Sequence, residues 1–356
     1  MALPDTTGIV TLTMNPALDV STRTPELRPT EKLRCGEPRH EPGGGGINVA
    51  RVIAALGGEA TALFPSGGPA GRMIEQLLGK AGVPFKAVPI AGDTRESFNV
   101  DETNTGRQYR FILPGPWLTV REQAMLFETL AKFSPAPRYI VASGSLPPGV
   151  EGDFYFRLGS ICGALGARLL FDAPGEVLAG SAGSGALLIK PNLLELEKAA
   201  GRPLRTRHQR VNAARCLIAA DVAETVIVSN GARGVLLVTA TEEEMISAPH
   251  VPVLSAVGAG DSMVGAMTLG LSRGMTMRDA VRYGMAAGAA TVMTPAGMLA
   301  RREDTERIFL ELSEEGKSDP LIRRIESPAG GKSIQSAQCS VPAAHGAPGD
   351  ANGPYA

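Results

Sequence analysis

Short aliphatic and β-branched runs recur along the chain with helix-patterned segments between them, and this alternation restricts the fold more than any other feature. The runs are Ile9-Val10-Thr11-Leu12-Thr13, Tyr139-Ile140-Val141-Ala142, Leu169-Leu170-Phe171, Leu187-Leu188-Ile189 and Val226-Ile227-Val228. Runs this short and this apolar suit strands buried on both faces. The segments Val49 to Leu56, Arg121 to Phe133, Asp153 to Leu165 and Val211 to Ala220 read as helices. Strands alternating with helices imply an α/β fold, a mostly parallel sheet covered on both faces. Ligands of such sheets sit beyond the carboxyl ends of the strands. Several runs lead there into polar or small residues: Asn15, Ser143-Gly144-Ser145, Asp172, Lys190-Pro191-Asn192 and Ser229-Asn230-Gly231.

Two segments break the alternation. Residues 20–41 and 93–112 are rich in Thr and Arg, with strand-like pieces at Glu96 to Val100 and Arg107 to Leu113. They are expected to form a small antiparallel sheet that projects from the core as a lid, the alternative being a β-hairpin without a functional role. From Pro328 onward Gly, Pro, Ala and Ser dominate. The sequence from about 318 to 356 is therefore expected to be a disordered tail, with too little apolar surface to offset chain entropy.

Composition excludes whole classes of partner. Lys and Arg number 35 against 36 Asp and Glu, a net charge of −1, and aromatic residues make up only 4% of the 356. A nucleic-acid surface needs a basic excess and often stacking aromatics, so no nucleic acid is expected. The longest uncharged stretch, Gly284 to Ala300, is rich in Ala and Gly and contains Pro295, which suits a buried helix and turn better than a membrane span. Cys35, Cys162, Cys216 and Cys339 are scattered, which suggests neither a zinc cage nor a disulfide framework. With no basic, apolar leader at the N-terminus, a cytoplasmic location is expected.

Two glycine-rich turns carry the chemistry. In Val257-Gly258-Ala259-Gly260-Asp261-Ser262, small residues precede the uncharged helical stretch Met263 to Leu271. Such a turn exposes backbone N–H groups at a helix N-terminus, an anion cradle. The same field is expected to keep Asp261 ionised and able to accept a proton; the bland alternative is a helix N-cap. The other turn is Pro42-Gly43-Gly44-Gly45-Gly46-Ile47-Asn48-Val49-Ala50. Four glycines imply close backbone approach to something flat or anionic, and Asn48 offers a donor and an acceptor to a polyol. It is not the dinucleotide fingerprint, since Asn48 stands where the last Gly belongs and no strand is read directly before it. No Walker A motif is present either.

Ser229-Asn230-Gly231-Ala232-Arg233-Gly234 follows a buried strand and suits wrapping of polyphosphate by backbone N–H groups. Lys190-Pro191-Asn192-Leu193-Leu194-Glu195 puts an amide and a carboxylate on one side of a helical turn. That pair suits a hydrated Mg²⁺, or else a helix cap and its capping-box partner. Gly270-Leu271-Ser272-Arg273-Gly274 matches a hydrolase pattern but falls at a helix end, not on a strand-to-helix elbow.

Taken together these elements resemble the ribokinase-like, or PfkB, family of carbohydrate kinases. Its signatures G-G-x-G-x-N-x-A and G-A-G-D both occur here in order, with N-x-x-E and S-x-G-x-x-G elements between them. The resemblance covers roughly residues 8 to 315 and implies one kinase domain: a three-layer αβα core with a small β-sheet lid. Lys32 to Cys35, Glu41 to Arg51, Ser143 to Gly149 and Gly258 to Thr268 are most similar to the family members that phosphorylate fructose 6-phosphate.

The resemblance also assigns roles. It makes Asp261 the catalytic base and Gly258, Ala259 and Gly260 the anion hole. It places Asp19, Gly44, Gly45, Asn48 and Ser145 around the sugar, with Lys32, Arg34, Arg95 and Arg110 around its phosphate. Lys190, Asn192, Ser229, Gly231, Gly234, Gly258 and Gly260 fall to ATP, and Asn192 and Glu195 to Mg²⁺ through water. Fructose-1-phosphate kinases of the family commonly carry Lys where this chain has Gly45, which favours the 6-phosphate. Fructose 1-phosphate and tagatose 6-phosphate remain the rival substrates, and a sugar-phosphate sensor the non-catalytic rival. Lid-to-lid homodimers are the family habit. The stretch Val292 to Met298 departs from the family's monovalent-cation site, so potassium dependence stays open.

Overall fold

The computed structural model describes residues 8–318 apart from residue 296. The tail expected from 318 onward lies, but for Ser318 itself, outside the described residues. A nine-stranded sheet forms the core, built from β1 (Ile9–Leu12), β4 (Thr61–Ser66), β5 (Phe85–Pro89), β8 (Tyr139–Ser143), β9 (Arg168–Asp172), β10 (Ala186–Ile189), β11 (Ala223–Ser229), β12 (Val235–Val238) and β13 (Glu243–Ile246). The spatial order is β13-β12-β11-β10-β9-β8-β1-β4-β5. All pairings are parallel except β11 with β12 and β12 with β13.

Alternation along the strands splits the core into two layers. Val141, Leu170, Leu188 and Ile227 face one side. There they pack with α1 (Gly45–Ala55), α2 (Gly68–Lys80), α8 (Ala259–Ser272), α9 (Met277–Val292) and α10 (Arg302–Ser318). Ile140, Leu169, Phe171, Ile189 and Val226 face the other. They meet α3 (Val120–Ala131), α4 (Phe154–Leu165), α6 (Leu193–Ala200) and α7 (Arg207–Ala219), with the short α5 (Gly175–Leu178) beside α6. The uncharged stretch after Gly284 is the buried second half of α9, hemmed in by α8 and α10. Among the described residues no helix is long and apolar enough to cross a membrane.

A second sheet has the order β3-β2-β6-β7, from β2 (Ala17–Thr24), β3 (Arg39–Gly43), β6 (Arg95–Glu102) and β7 (Arg107–Ile112). Its outer pairings are antiparallel as expected, but β2 and β6 pair in parallel over eight residues, Ala17 with Arg95 through Thr24 with Glu102. The two strands enter from different parts of the chain, each leaving the core in the same direction, so the sheet is mixed. A further correction concerns the first glycine run, because β3 leads straight into α1 through Gly44. That strand reads Arg-His-Glu-Pro-Gly, largely exposed at its start and with no apolar alternation to announce it.

Candidate active site

Chain order along the large sheet reverses between β1 and β8, which makes their carboxyl ends the place where a crevice forms. The first glycine run is seated on those ends. Gly44 adopts φ 112°, and a Cβ on Gly45 would overlap the Ser143 hydroxyl and the Gly144 amide. The Ile47 N–H donates to Thr13 Oγ1 at 2.8 Å, anchoring the start of α1. The flat or anionic surface expected beside these glycines is thus, at Gly45 and Gly46, the chain's own strand ends. Gly43 lies against the Asp19 carboxylate, where no Cβ would fit.

The second turn is built differently. Gly258, at φ 80°, is the N-cap of α8, so Asp261 is the third helical residue and caps nothing. The first intrahelical bond runs from the Ser262 N–H to the Gly258 carbonyl at 2.9 Å, and the Ala259 N–H makes a long bond to the Ala256 carbonyl at 3.4 Å, which leaves the N–H groups of Gly260 and Asp261 at the helix start. The nearest neighbours of a Cβ on Gly260 would be the end of the Lys190 side chain, from 3.5 Å, and the Asp172 carboxylate at 3.8 Å, both ordinary contacts. Asp261 Oδ2 accepts from Asn48 Nδ2 at 2.9 Å and Oδ1 from the Ser143 hydroxyl at 3.2 Å. Burial pushes its pKa up to about 6, the Asn48 hydrogen bond opposing, and Asp172 adds to the rise while Lys190 and Ser143 oppose it. The helix terminus was expected to hold this carboxyl low; desolvation outweighs it. The group stays mostly ionised at neutral pH and sits where a general base works best.

Beside it, Lys190 and Asp172 form a buried ion pair at 3.0 Å. Burial alone would pull the ammonium down, but Asp172 holds it above the ordinary lysine value. Asn192 and Glu195 are a reciprocal capping box at the start of α6: Asn192 Oδ1 accepts from the Glu195 N–H at 2.9 Å and Glu195 Oε2 from the Asn192 N–H at 2.7 Å. One Glu195 oxygen is left over, and burial raises this carboxyl above its usual range. Among the described residues no group of three His, Cys, Asp or Glu could cage a metal ion. The residues present therefore fit a metal that arrives already bound to phosphates and water rather than one the protein holds alone. Ser229 closes β11 and its N–H donates to the Pro191 carbonyl at 2.9 Å, which brings the two loops together. Gly231 is exposed in a short 3₁₀ turn; Gly234 is buried against the Ile246 carbonyl, so it serves the packing of that turn.

On the opposite flank Asp19 projects from β2, its pKa pushed up to about 6 by burial against the pull of Arg110 and Arg95. Arg95 is committed to the scaffold: Nη2 donates to the Asn15 carbonyl at 3.1 Å and Nη1 to the Leu113 carbonyl at 3.0 Å. Exposed Arg110 donates from Nε to Asn99 Oδ1 at 3.2 Å. Lys32 and Arg34 stand exposed on the segment between β2 and β3, their side chains making no hydrogen bond or ion pair with the described residues. Ser145 accepts from Asn15 Nδ2 at 3.1 Å. Asn15, Ser143 and Asp172 were legible only as polar strand ends, and Arg51, which reaches Asn48 from behind, and its ion-pair partner Glu41 carried no signal beyond the run they flank.

Comparison with known proteins agrees with this architecture. A model of pfkB family carbohydrate kinases matches residues 10–302. The ATP-dependent 6-phosphofructokinase isozyme 2 of Mycobacterium tuberculosis is 49% identical over 307 residues, 86% of this chain and 90% of that protein. The isozyme 2 of Escherichia coli is 41% identical over 86% of this chain and 99% of its own. Solved structures of that enzyme, covering the same shares, superpose with TM-scores of 0.82 for a potassium complex and 0.80 for a fructose-6-phosphate complex. A 1-phosphofructokinase of Xanthomonas campestris is 31% identical over 81% of the chain and 94% of its own length. With a family model spanning most of the chain and relatives aligned nearly end to end, the chain belongs to the pfkB family of carbohydrate kinases.

Proposed function

We propose that this chain transfers the γ-phosphoryl group of MgATP to the C1 hydroxyl of fructose 6-phosphate, giving fructose 1,6-bisphosphate and ADP. The observation that carries the reading is Asp261, a carboxylate at the third position of α8 that caps nothing and turns instead into the crevice beside an open glycine turn. Asp261 takes the proton as the C1 oxygen attacks phosphorus in line and the bond to the ADP oxygen breaks. The N–H groups around Gly258, Ala259 and Gly260 meet the charge of the group in transit, with Lys190 alongside. The free Glu195 oxygen and the Asn192 side chain would hold, through water, the Mg²⁺ that accompanies the nucleotide, a charge that would offset that of the phosphates. Ser229 and Gly231 would border the ATP chain, while Gly234, buried under that turn, would shape it rather than touch the nucleotide.

Asp19, Asn48 and the Gly44–Gly45 backbone face the sugar, Ser145 lies beside them, and Arg95, Arg110, Lys32 and Arg34 answer its phosphate. The space expected beside Gly45 is filled by Ser143 and Gly144. Standing where the fructose-1-phosphate kinases of the family commonly carry Lys, Gly45 brings no cation to that end of the sugar, which supports the 6-phosphate over the 1-phosphate. So does the greater identity to the 6-phosphofructokinases. Residues 8–315 then act as one kinase domain, and the segments 20–41 and 93–112 close over the sugar and exclude water. We further place the enzyme in the cytoplasm as a homodimer joined through the smaller sheets. A coupled assay across fructose 6-phosphate, fructose 1-phosphate and tagatose 6-phosphate tests the substrate. A higher kcat/KM for either rival overturns the assignment, and no ADP release with any of the three overturns catalysis.

A further inference from the structure

Behind Asp261 runs a chain of polar contacts that no role above absorbs. Asn48, in the first turn of α1, gives Nδ2 to Asp261 Oδ2 at 2.9 Å. Its Oδ1 accepts from Arg51 Nη1, one turn further along the helix, at 3.2 Å. The same Arg51 nitrogen donates to the Pro42 carbonyl at 3.0 Å, and Nη2 pairs with Glu41 Oε1 at 3.6 Å. Both acceptors lie on β3, a strand of the smaller sheet. Arg51 keeps only 19% of its side chain exposed, so the guanidinium is held mostly out of bulk water.

The chemistry of the two groups fixes the orientation of the amide. A guanidinium can only donate, so the carboxamide must turn its oxygen toward Arg51. Its NH₂ group then faces the base. Without Arg51 only the Asp261 carboxylate itself orients the amide, and the carboxamide, no longer held at its oxygen, is free to swing off the base. We propose that Arg51 is the positioning residue for the base, locking the Asn48 carboxamide so that it donates to Asp261 and tying that geometry to strand β3 of the smaller sheet. This rests on the reading of Asp261 as the base.

The consequence is electrostatic as well as geometric. The Asn48 hydrogen bond opposes the burial that raises the Asp261 pKa. The other groups facing Asp261 are Ser143 on β8, Asp172 on β9 and Lys190 just after β10; those facing Arg51 are Glu41, Asp19 and Arg39. Replacing Arg51 leaves all of them in place. Loss of the lock therefore raises the Asp261 pKa and moves the acid limb of turnover to higher pH.

Arg51→Met tests this, since it keeps most of the buried stem and removes every donor. The profile to read is kcat against pH with both substrates saturating, where Asp19, on the sugar flank, weighs on KM instead. The expected result is a fall in kcat of about 10-fold, the worth of one hydrogen bond to a charged group. It comes with an acid limb displaced upward and an unchanged KM for MgATP. Arg51→Lys, which restores a donor without the fork, should recover part of the limb. An unmoved limb in a folded Arg51→Met protein overturns the lock. Should that variant not fold, Glu41→Gln loosens the same guanidinium from β3, and an unmoved limb there overturns it equally. Asp261→Asn separates the two failures, because full turnover in that variant removes the base itself rather than its positioning.

Discussion

The two glycine-rich turns carry the same signal in sequence and opposite physics in space. In the run Gly43–Gly46, protein atoms stand where each missing side chain would go: Asp19, then Thr13 and Pro16, then Ser143 with Gly144, then the Leu12 carbonyl. At Gly260 the nearest atoms are side-chain ends at ordinary contact distance. One turn is glycine because the helix must sit on the strand ends; in the other, Gly258 meets the positive φ of its N-cap position, and the open side of Gly260 suits the approach of a group from outside. A glycine cluster read from sequence reports crowding at the backbone, and only the fold says whether the chain itself or a ligand supplies it.

Substitutions can break or sharpen that contrast. The largest effect belongs to the open turn, where Asp261→Asn should lower turnover by about 10²–10⁴-fold, the usual range for lost acid–base help, with the KM for MgATP little changed. Near wild-type turnover would make both turns structural. The pH profile reads the same group without mutation. With its pKa at about 6, kcat should fall roughly tenfold per pH unit on the acid side, as the base takes up its proton. A limb centred near the ordinary aspartate value would show that burial does not govern it.

The sugar flank comes next. Arg110→Ala should raise the KM for fructose 6-phosphate about 10-fold by loss of a charge-assisted contact, while the KM for MgATP barely moves. Arg95→Ala should do the same and also lower the melting temperature, because Arg95 stitches the Asn15 and Leu113 carbonyls together. Equal melting temperatures for the two variants would mean those stitches carry no stability. The contrast between the turns is tested most directly by a pair of alanines. Gly45→Ala should cost about 1–3 kcal/mol of stability by overpacking against Ser143, whereas Gly260→Ala should leave the melting temperature nearly unchanged and lower kcat. Equal stability losses would erase the distinction. The smallest effect is expected from replacing potassium by sodium. The Thr291, Val292, Pro295 and Met298 carbonyls, in and beside the stretch that departs from the family's cation site, already accept hydrogen bonds within the chain. A large gain in turnover with potassium would show that this loop opens.

How much of this was legible follows from what each signal encodes. The five central runs were recovered as β1, β8, β9, β10 and β11 because burial on both faces leaves no polar alternation to misread. Strands β4 and β5 were hidden by Pro65 and Pro89, and β13 by its charged start at Glu243. Helix α1 was expected to begin at Val49, since glycines disfavour helix, yet seating on the strand ends starts it at Gly45. Within the site, motif residues such as Asn48 and Asp261 were visible at once. Asp172 and Ser143 were visible only as polar strand ends, because their meeting comes from register: β8 and β9 align Ser143 with Asp172, and no local pattern records a neighbour on another strand. Arg51 entered only as the last residue of the family-like stretch from Glu41, and its contacts with β3 give it a place in the site.

Asp19 and Asp261 share one further property, a carboxyl that burial lifts to about 6 in the folded chain from an ordinary value of 3.8. A carboxyl raised by folding favours the folded state fully below its unfolded value and surrenders that contribution as pH rises through the folded one. Across the window from about 4 to 6, the molecule trades durability for readiness. At the acid end both sites hold protons and the chain gains tenacity while idle, and near neutrality it carries two ill-solvated charges as the standing cost of a base that is ready to work.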